Sequence, residues 1–267
     1  MSKGKVLVVG SNATRIELQG GGTGPTGQYL NETVVPAMAL INAGYEVVLA
    51  TPNGTQPYID PASDHAAHFG GDEKLYRQGR DFFDKDPSMT NVRTLRAIVG
   101  GGLDQYVAVF APGGQGPVVD LMQDAEVGTI LRHFHERKKP TALLCHGPII
   151  SVATLPDAKA YRAALIAGDK AKVAQLGKGW QYAGYKMTVF TASEEIPIEE
   201  QFLHGKIYFT MPDALGAAGA EVSRSAVDFE PFVVEDRELI TGQNPRSDHP
   251  IAAKLIAALE RASKAAA

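Results

Sequence analysis

The sequence predicts an α/β fold with a mostly parallel central sheet. Short β-branched runs alternate with amphipathic stretches of helical length, the pattern of βα units wound side by side. A chain of 267 residues, 44% hydrophobic and 21% charged, can bury one large core, and its composition nowhere divides into unlike halves. One domain over 1–267 is expected, elaborated by insertions around 52–100 and 152–184.

Five or six central strands are expected. Lys5–Gly10 (KVLVVG) is the first, followed by a Gly-rich loop and a helix over Asn31–Ala43 that Gly44 closes as a C-cap. Tyr45–Thr51 (YEVVLAT) is the second strand. From Pro52 to about Arg93 the chain is polar and aromatic-studded, interrupted by Pro57, Pro61 and Pro87, and reads as an excursion over the sheet, placed to cover a site. Tyr106–Pro112 (YVAVFAP) is the next strand and ends in Gly113 and Gly114. Val118–Arg137 then reads as a helix, and Pro140–Leu144 as a buried strand leading straight into Cys145. Beyond Ile149 the segment with Tyr161, Lys170, Trp180 and Tyr182 is too long for an ordinary connection and predicts an inserted lobe. Lys186–Phe190 (KMTVF) is read as a strand, Phe232–Ile240 as hairpin-like, and about His249–Ala265 as the final helix.

The net charge of −4 gives no support to nucleic-acid binding, which needs a clustered basic surface. Arg137, Lys138 and Lys139 make only a short run that a solvated helix end explains. No apolar run approaches the roughly 20 residues that span a bilayer, so no membrane role is implied. A single cysteine forms no intramolecular disulfide, and the N-terminus has no secretion pattern, so a reducing cytoplasm is expected. Gly20–Gly27 lacks the Lys and Ser or Thr of a phosphate-cradling loop, and Gly100–Gly102 precedes a strand instead of following one; turns explain both.

The chemistry gathers at Cys145-His146-Gly147-Pro148. A strand that turns abruptly into a helix exposes the turn residue at the C-terminal edge of the sheet, where active sites of open α/β sheets collect. Pro148 suits a first helical turn, and the positive helix end beside the sulfur is expected to lower the thiol pKa. A buried structural cysteine acting as a small hydrophobe is the plain alternative. Histidine is the residue type suited to act as a general base or proton shuttle, but adjacent side chains point apart, so His146 reaches the sulfur only across a strained turn. Gly113 and Gly114 could aim bare amides at a developing oxyanion; a tight turn alone would also explain them.

The order of NETVVP (31–36), APGGQG (111–116), LLCHGP (143–148) and TASEE (191–195) resembles the ThiJ/PfpI superfamily over nearly the whole chain. The length, the lobe after the cysteine turn and the tail ITGQNPRS resemble its branch of heat-shock chaperones and glutathione-independent glyoxalases. The resemblance implies a flavodoxin-like three-layer sandwich with a cysteine nucleophile elbow, and a homodimer. It makes Cys145 the nucleophile, Glu32 a carboxyl beside it that stays protonated because two like charges at that range disfavour each other, and His146 the partner base. Glu195 is the acid that orients the histidine, with Glu194 the neighbouring candidate. Gly113, Gly114 and Gln115 fall in the substrate loop, where Gln115 replaces the histidine common in this branch.

Ile41 stands where a chaperone-type relative has a metal-binding histidine, although Glu46 matches its acidic partner, and His65 and His68 lack a ligand set, so no metal and no cofactor are expected. The implied activity is addition to small reactive carbonyls such as methylglyoxal. The alternatives are a holding chaperone for unfolded protein clients, or a different cysteine-dependent hydratase, hydrolase or deglycase on the same fold, with amide cleavage and isonitrile hydration among the reactions. An amidotransferase fits less well, because His204 and His249 make no convincing pair with an acid.

Overall fold

The computed structural model describes residues 2–266. Its strands are β1 (Lys5–Val9), β2 (Arg15–Glu17), β3 (Thr23–Pro25), β4 (Glu46–Thr51), β5 (Arg93–Thr94), β6 (Tyr106–Ala111), β7 (Thr141–Leu144), β8 (Lys186–Met187), β9 (Glu221–Val222), β10 (Val233–Asp236) and β11 (Leu239–Gly242). The α-helices are α1 (Leu30–Asn42), α2 (Glu73–Lys85), α3 (Pro87–Thr90), α4 (Leu95–Gly100), α5 (Gly116–Val119), α6 (Ala125–Glu136), α7 (Ala158–Ala167), α8 (Lys170–Leu176), α9 (Ala192–Ile198), α10 (Met211–Ala217) and α11 (Asp248–Ala266).

Seven strands form the central sheet in the order β10-β11-β7-β6-β1-β4-β5, parallel throughout except for the β10–β11 hairpin. Period-two side-chain alternation divides the core between its two faces. Leu7, Val9, Val109, Ala111 and Leu143 pack on one face with Ile130, Leu131 and Phe134 of α6. Val6, Val8, Ala108, Phe110, Ala142 and Leu144 pack on the other with Leu30, Val34 and Leu40 of α1 and Ile251 and Leu255 of α11. The expected three-layer flavodoxin-like arrangement follows, and the strand order reverses between β1 and β6. That switch point opens a crevice at the carboxyl ends of the strands.

Several elements differ from expectation. The helix expected over Val118–Arg137 is broken into α5, a 3₁₀ turn Leu121–Gln123 and α6, because Asp124 starts a new helix by accepting from the Val127 amide. KMTVF is a strand only at Lys186–Met187 and pairs with β9 in a separate two-stranded sheet. The place beside β7 is taken by β11. Within 152–184, Tyr161, Trp180 and Tyr182 are buried in the same apolar cluster as β6 and α6, so this insertion packs onto the sheet. The 52–100 excursion carries α2, α3 and α4, and its residues Asp60–Ala62 reach the crevice. Among the described residues no helix is long and apolar enough to cross a membrane.

Candidate active site

β7 delivers Cys145 to the sheet edge, and the residue sits at φ +62°, a left-handed conformation that a side chain adopts only under constraint. Two hydrogen bonds supply the constraint: the Cys145 amide donates to Gly242 O (2.8 Å), and its carbonyl accepts from the Phe190 amide (2.9 Å). The turn is as strained as adjacent contact demands. His146 Nδ1 lies 3.4 Å from Cys145 Sγ, and the ring rests on Phe190 with centroids 4.5 Å apart. The segment after the turn is a 3₁₀ helix, Gly147–Thr154, with Pro148 in its first turn.

His146 Nε2 meets Glu195 Oε2 at 2.8 Å, with both side chains buried. Glu195 is held on its other oxygen by the Gln115 side-chain amide. Thr191 sets this geometry: as N-cap of α9 it forms a capping box with Glu194, whose side chain returns to the Thr191 amide. Glu194 also accepts from the Phe229 amide (2.7 Å), Gln243 Nε2 (2.9 Å) and Asn244 Nδ2 (2.8 Å), so it anchors the α9 start and does not reach His146.

Glu32, in the first turn of α1, is fully buried. One of its oxygens accepts from the Gly113 amide at 2.7 Å; the other has no nitrogen or oxygen partner, and the carboxyl interacts with the Cys145 thiol. Burial pushes this carboxyl up to about 7, against the opposing pull of the Gly113 hydrogen bond. Two expectations are thereby corrected. The Gly113 amide is committed to Glu32 and is not free for an oxyanion, while the Gly114 amide is the one that reaches the sulfur. The thiol pKa is not lowered: burial first, and then the nearby Glu32 charge, push it well above its ordinary value, outweighing the short 3₁₀ segment. The carboxyl therefore ionises at about 7, while the thiol keeps its proton well above its ordinary range.

Gly113 has a further duty. A Cβ there would sit 2.7 Å from Cys145 Cβ, 2.7 Å from Leu144 O and 2.8 Å from His146 N, all closer than real contacts allow. Gly113→Ala is expected to destabilise the fold by about 1–3 kcal/mol through overpacking and to cut turnover roughly 100-fold through displacement of the sulfur. Urea unfolding and initial rates check both effects; native stability and rates would contradict the crowding.

The cavity at the sulfur encloses about 230 Å³ and is lined by Cys145, His146 and Gln115 together with Tyr29, Asp60, Phe190 and Phe202. Tyr29, Asp60 and Phe190 escaped the sequence reading, although Tyr29 precedes NETVVP and Phe190 precedes TASEE. Asp60 caps the Pro61–Ser63 turn by accepting from the Ala62 amide, and burial pushes its pKa up. Gln201, Phe202 and Leu203 come from a π-helical turn, Glu199–Leu203, that continues α9 past Pro197, a local geometry frequent at functional sites. Of the loop histidines, His68 bonds Ala62 O. Among the described residues no group of three or more His, Cys, Asp or Glu could hold a metal ion.

Known proteins share this arrangement of chain. The protein/nucleic acid deglycase HchA of Pseudomonas aeruginosa is 24% identical over 247 residues, covering 90% of this chain and 76% of that protein. HchA of Staphylococcus aureus (strain Newman) is 26% identical over 255 residues, covering 93% and 77%. The structure of glyoxalase III from Candida albicans matches with a TM-score of 0.72 at 21% identity, over 96% of this chain and 97% of that one, and so shares the fold. The DJ-1/PfpI family description matches residues 27–180, more than half of the 267. These residues carry Glu32, Gly113, Cys145 and His146, and the chain belongs to the DJ-1/PfpI family.

Proposed function

We propose that the protein is a cysteine-dependent enzyme acting on small reactive carbonyls, converting methylglyoxal to lactate without a cofactor. The observation that carries this reading is the Cys145 sulfur set between two proton-handling groups, His146 and Glu32, in a cavity of about 230 Å³. A cavity of that size suits a small molecule.

In this reading Cys145 Sγ adds to the aldehyde carbon as the carbonyl electron pair moves onto oxygen. The thiol proton passes through His146 Nδ1 to that oxygen, giving a hemithioacetal, while the amides of Gly114 and of His146 stabilise the transient charge. Glu32, as carboxylate, then takes the hydrogen from the same carbon. The enediol so formed gains a proton at the neighbouring carbon and leaves a thioester of lactate, which water hydrolyses to free the thiol. One carbon is oxidised and its neighbour reduced within one molecule, so the balance needs only water. Because the resting thiol pKa is raised, the nucleophile is generated at the moment of attack, with His146 as base.

The HchA relatives bear a name that speaks of protein and nucleic-acid deglycation, in which the carbonyl adduct rides on a larger carrier. A groove of about 1030 Å³ adjoining the cavity favours that second reading. The net charge of −4 argues against a phosphate-tracking surface.

Purified protein should deplete methylglyoxal and form lactate, and Cys145→Ala should lose about 10⁴-fold or more of the rate while keeping its melting temperature. Equal rates for the two proteins would sink the proposal.

A further inference from the structure

Tyr29, Ala62, Phe190, Ile198 and Phe202 line both the cavity at Cys145 and the groove of about 1030 Å³ beside it. A three-carbon dicarbonyl needs only the inner compartment. The groove runs between α1, α2 and the start of α11, and most of its wall is apolar, including Val34, Met38, Phe69 and Phe229. A polar end is formed by Arg246 and His249, with His65 and His68 across from them.

The charge that this end offers a ligand is positive. The Arg246 side chain is exposed and, among the described residues, makes no hydrogen bond or ion pair through its guanidinium. Asp248, the acidic residue in the wall, is buried and turned inward: its oxygens accept from Asn31 Nδ2 (2.9 Å) and from the His249 amide (2.6 Å).

We infer that the groove is a second substrate-recognition site, holding the apolar body and remote carboxylate of a larger carbonyl compound while its carbonyl carbon reaches Cys145. Apolar contact along α1 and α2 supplies affinity, and Arg246 selects the acid. The inference rests on the carbonyl chemistry proposed above, and its test separates the two.

The probes are 4-acetylbenzoate and its uncharged counterpart 4-methylacetophenone, titrated calorimetrically into the Cys145→Ala protein. The carboxylate should bind at least tenfold more tightly. Arg246→Ala on that background should erase the difference, leaving the uncharged ketone unaffected, and raised salt should shrink it because Arg246 is exposed. Arg246→Ala with Cys145 intact should turn over methylglyoxal within twofold of the parent. Equal affinities for the two ketones, no binding of either, or a preference that survives Arg246→Ala overturns the inference. So does a dimer, seen by light scattering, that Leu75→Glu on the groove wall disperses, for then a second copy fills the groove. Selective probe binding without any methylglyoxal turnover leaves this site standing and removes the proposed carbonyl chemistry instead.

Discussion

Glu195→Gln is expected to lower kcat/KM for methylglyoxal by about 10³–10⁴-fold in a protein that remains folded. In the proposed mechanism Glu195 accepts from His146 Nε2–H, which leaves Nδ1, the nitrogen 3.4 Å from the sulfur, free to take the thiol proton. A glutamine at this position must also satisfy Gln115, whose amide nitrogen donates to Oε1. Its own oxygen is best spent there, and its NH₂ group then points at His146 Nε2. That nitrogen must become the acceptor, so the ring proton moves to Nδ1 and the base is blocked on the side where it is needed. Steady-state kinetics at several pH values, with circular dichroism as the control for folding, check the expectation. A loss under tenfold would mean that His146 does not depend on Glu195 for its tautomer.

Glu32→Gln should cost about 10²–10⁴-fold in kcat/KM, since the amide cannot take up the proton from carbon, and it should change the pH dependence of stability as well. The folded carboxyl is pushed up to about 7 from an ordinary 4.5, so the native state binds this proton more tightly than the unfolded chain. The stabilisation is fully present below pH 4.5 and is lost as pH rises through 7. A shift of that size is worth about 3 kcal/mol. Burial also raises Asp60, Asp120 and Asp248, but these groups act alike in both proteins and cancel in the comparison. Urea unfolding between pH 4.5 and 7.5 should therefore show the parent losing up to that amount relative to the variant. In turnover, the parent should gain activity through pH 7 as Glu32 ionises, and the variant should lack that limb. Parallel stability curves would place the proton elsewhere.

Local pattern announced the scaffold: runs such as KVLVV and YVAVFA are buried on both faces, and a strand running into Cys-His-Gly-Pro marks the elbow before any contact is known. What the sequence could not carry were facts of depth and distance. The dipole argument for a lowered thiol pKa considers one neighbouring turn, whereas the sulfur's burial and its approach to Glu32 come from the folding of distant segments. Gly113 looked like an oxyanion donor because its partner lies 81 residues away. Glu194 and Glu195 differ by one step, about 100° around a helix, and only the Thr191 cap decides which faces His146. KMTVF has the composition of a central strand, yet a later strand, β11, occupies the slot next to β7. Tyr29 and Asp60 carry no pattern at all, since a cavity wall is defined by what stands opposite it.

The anchoring of Glu194 by Phe229, Gln243 and Asn244 bears on how such a site can be inherited. The stretch matched to the family, residues 27–180, brings the sulfur, His146, Glu32 and the Gln115 amide that holds Glu195, but Glu195 itself, the Thr191 cap and the partners of Glu194 lie beyond it. In the fold the two lengths are interlocked: the Cys145 amide donates to Gly242 O, its carbonyl accepts from the Phe190 amide, and β11 lies against β7. A chimera that exchanged the chain beyond residue 180 would therefore replace, together with Glu195, the Phe190 and Gly242 backbone groups that hold Cys145 in its left-handed conformation.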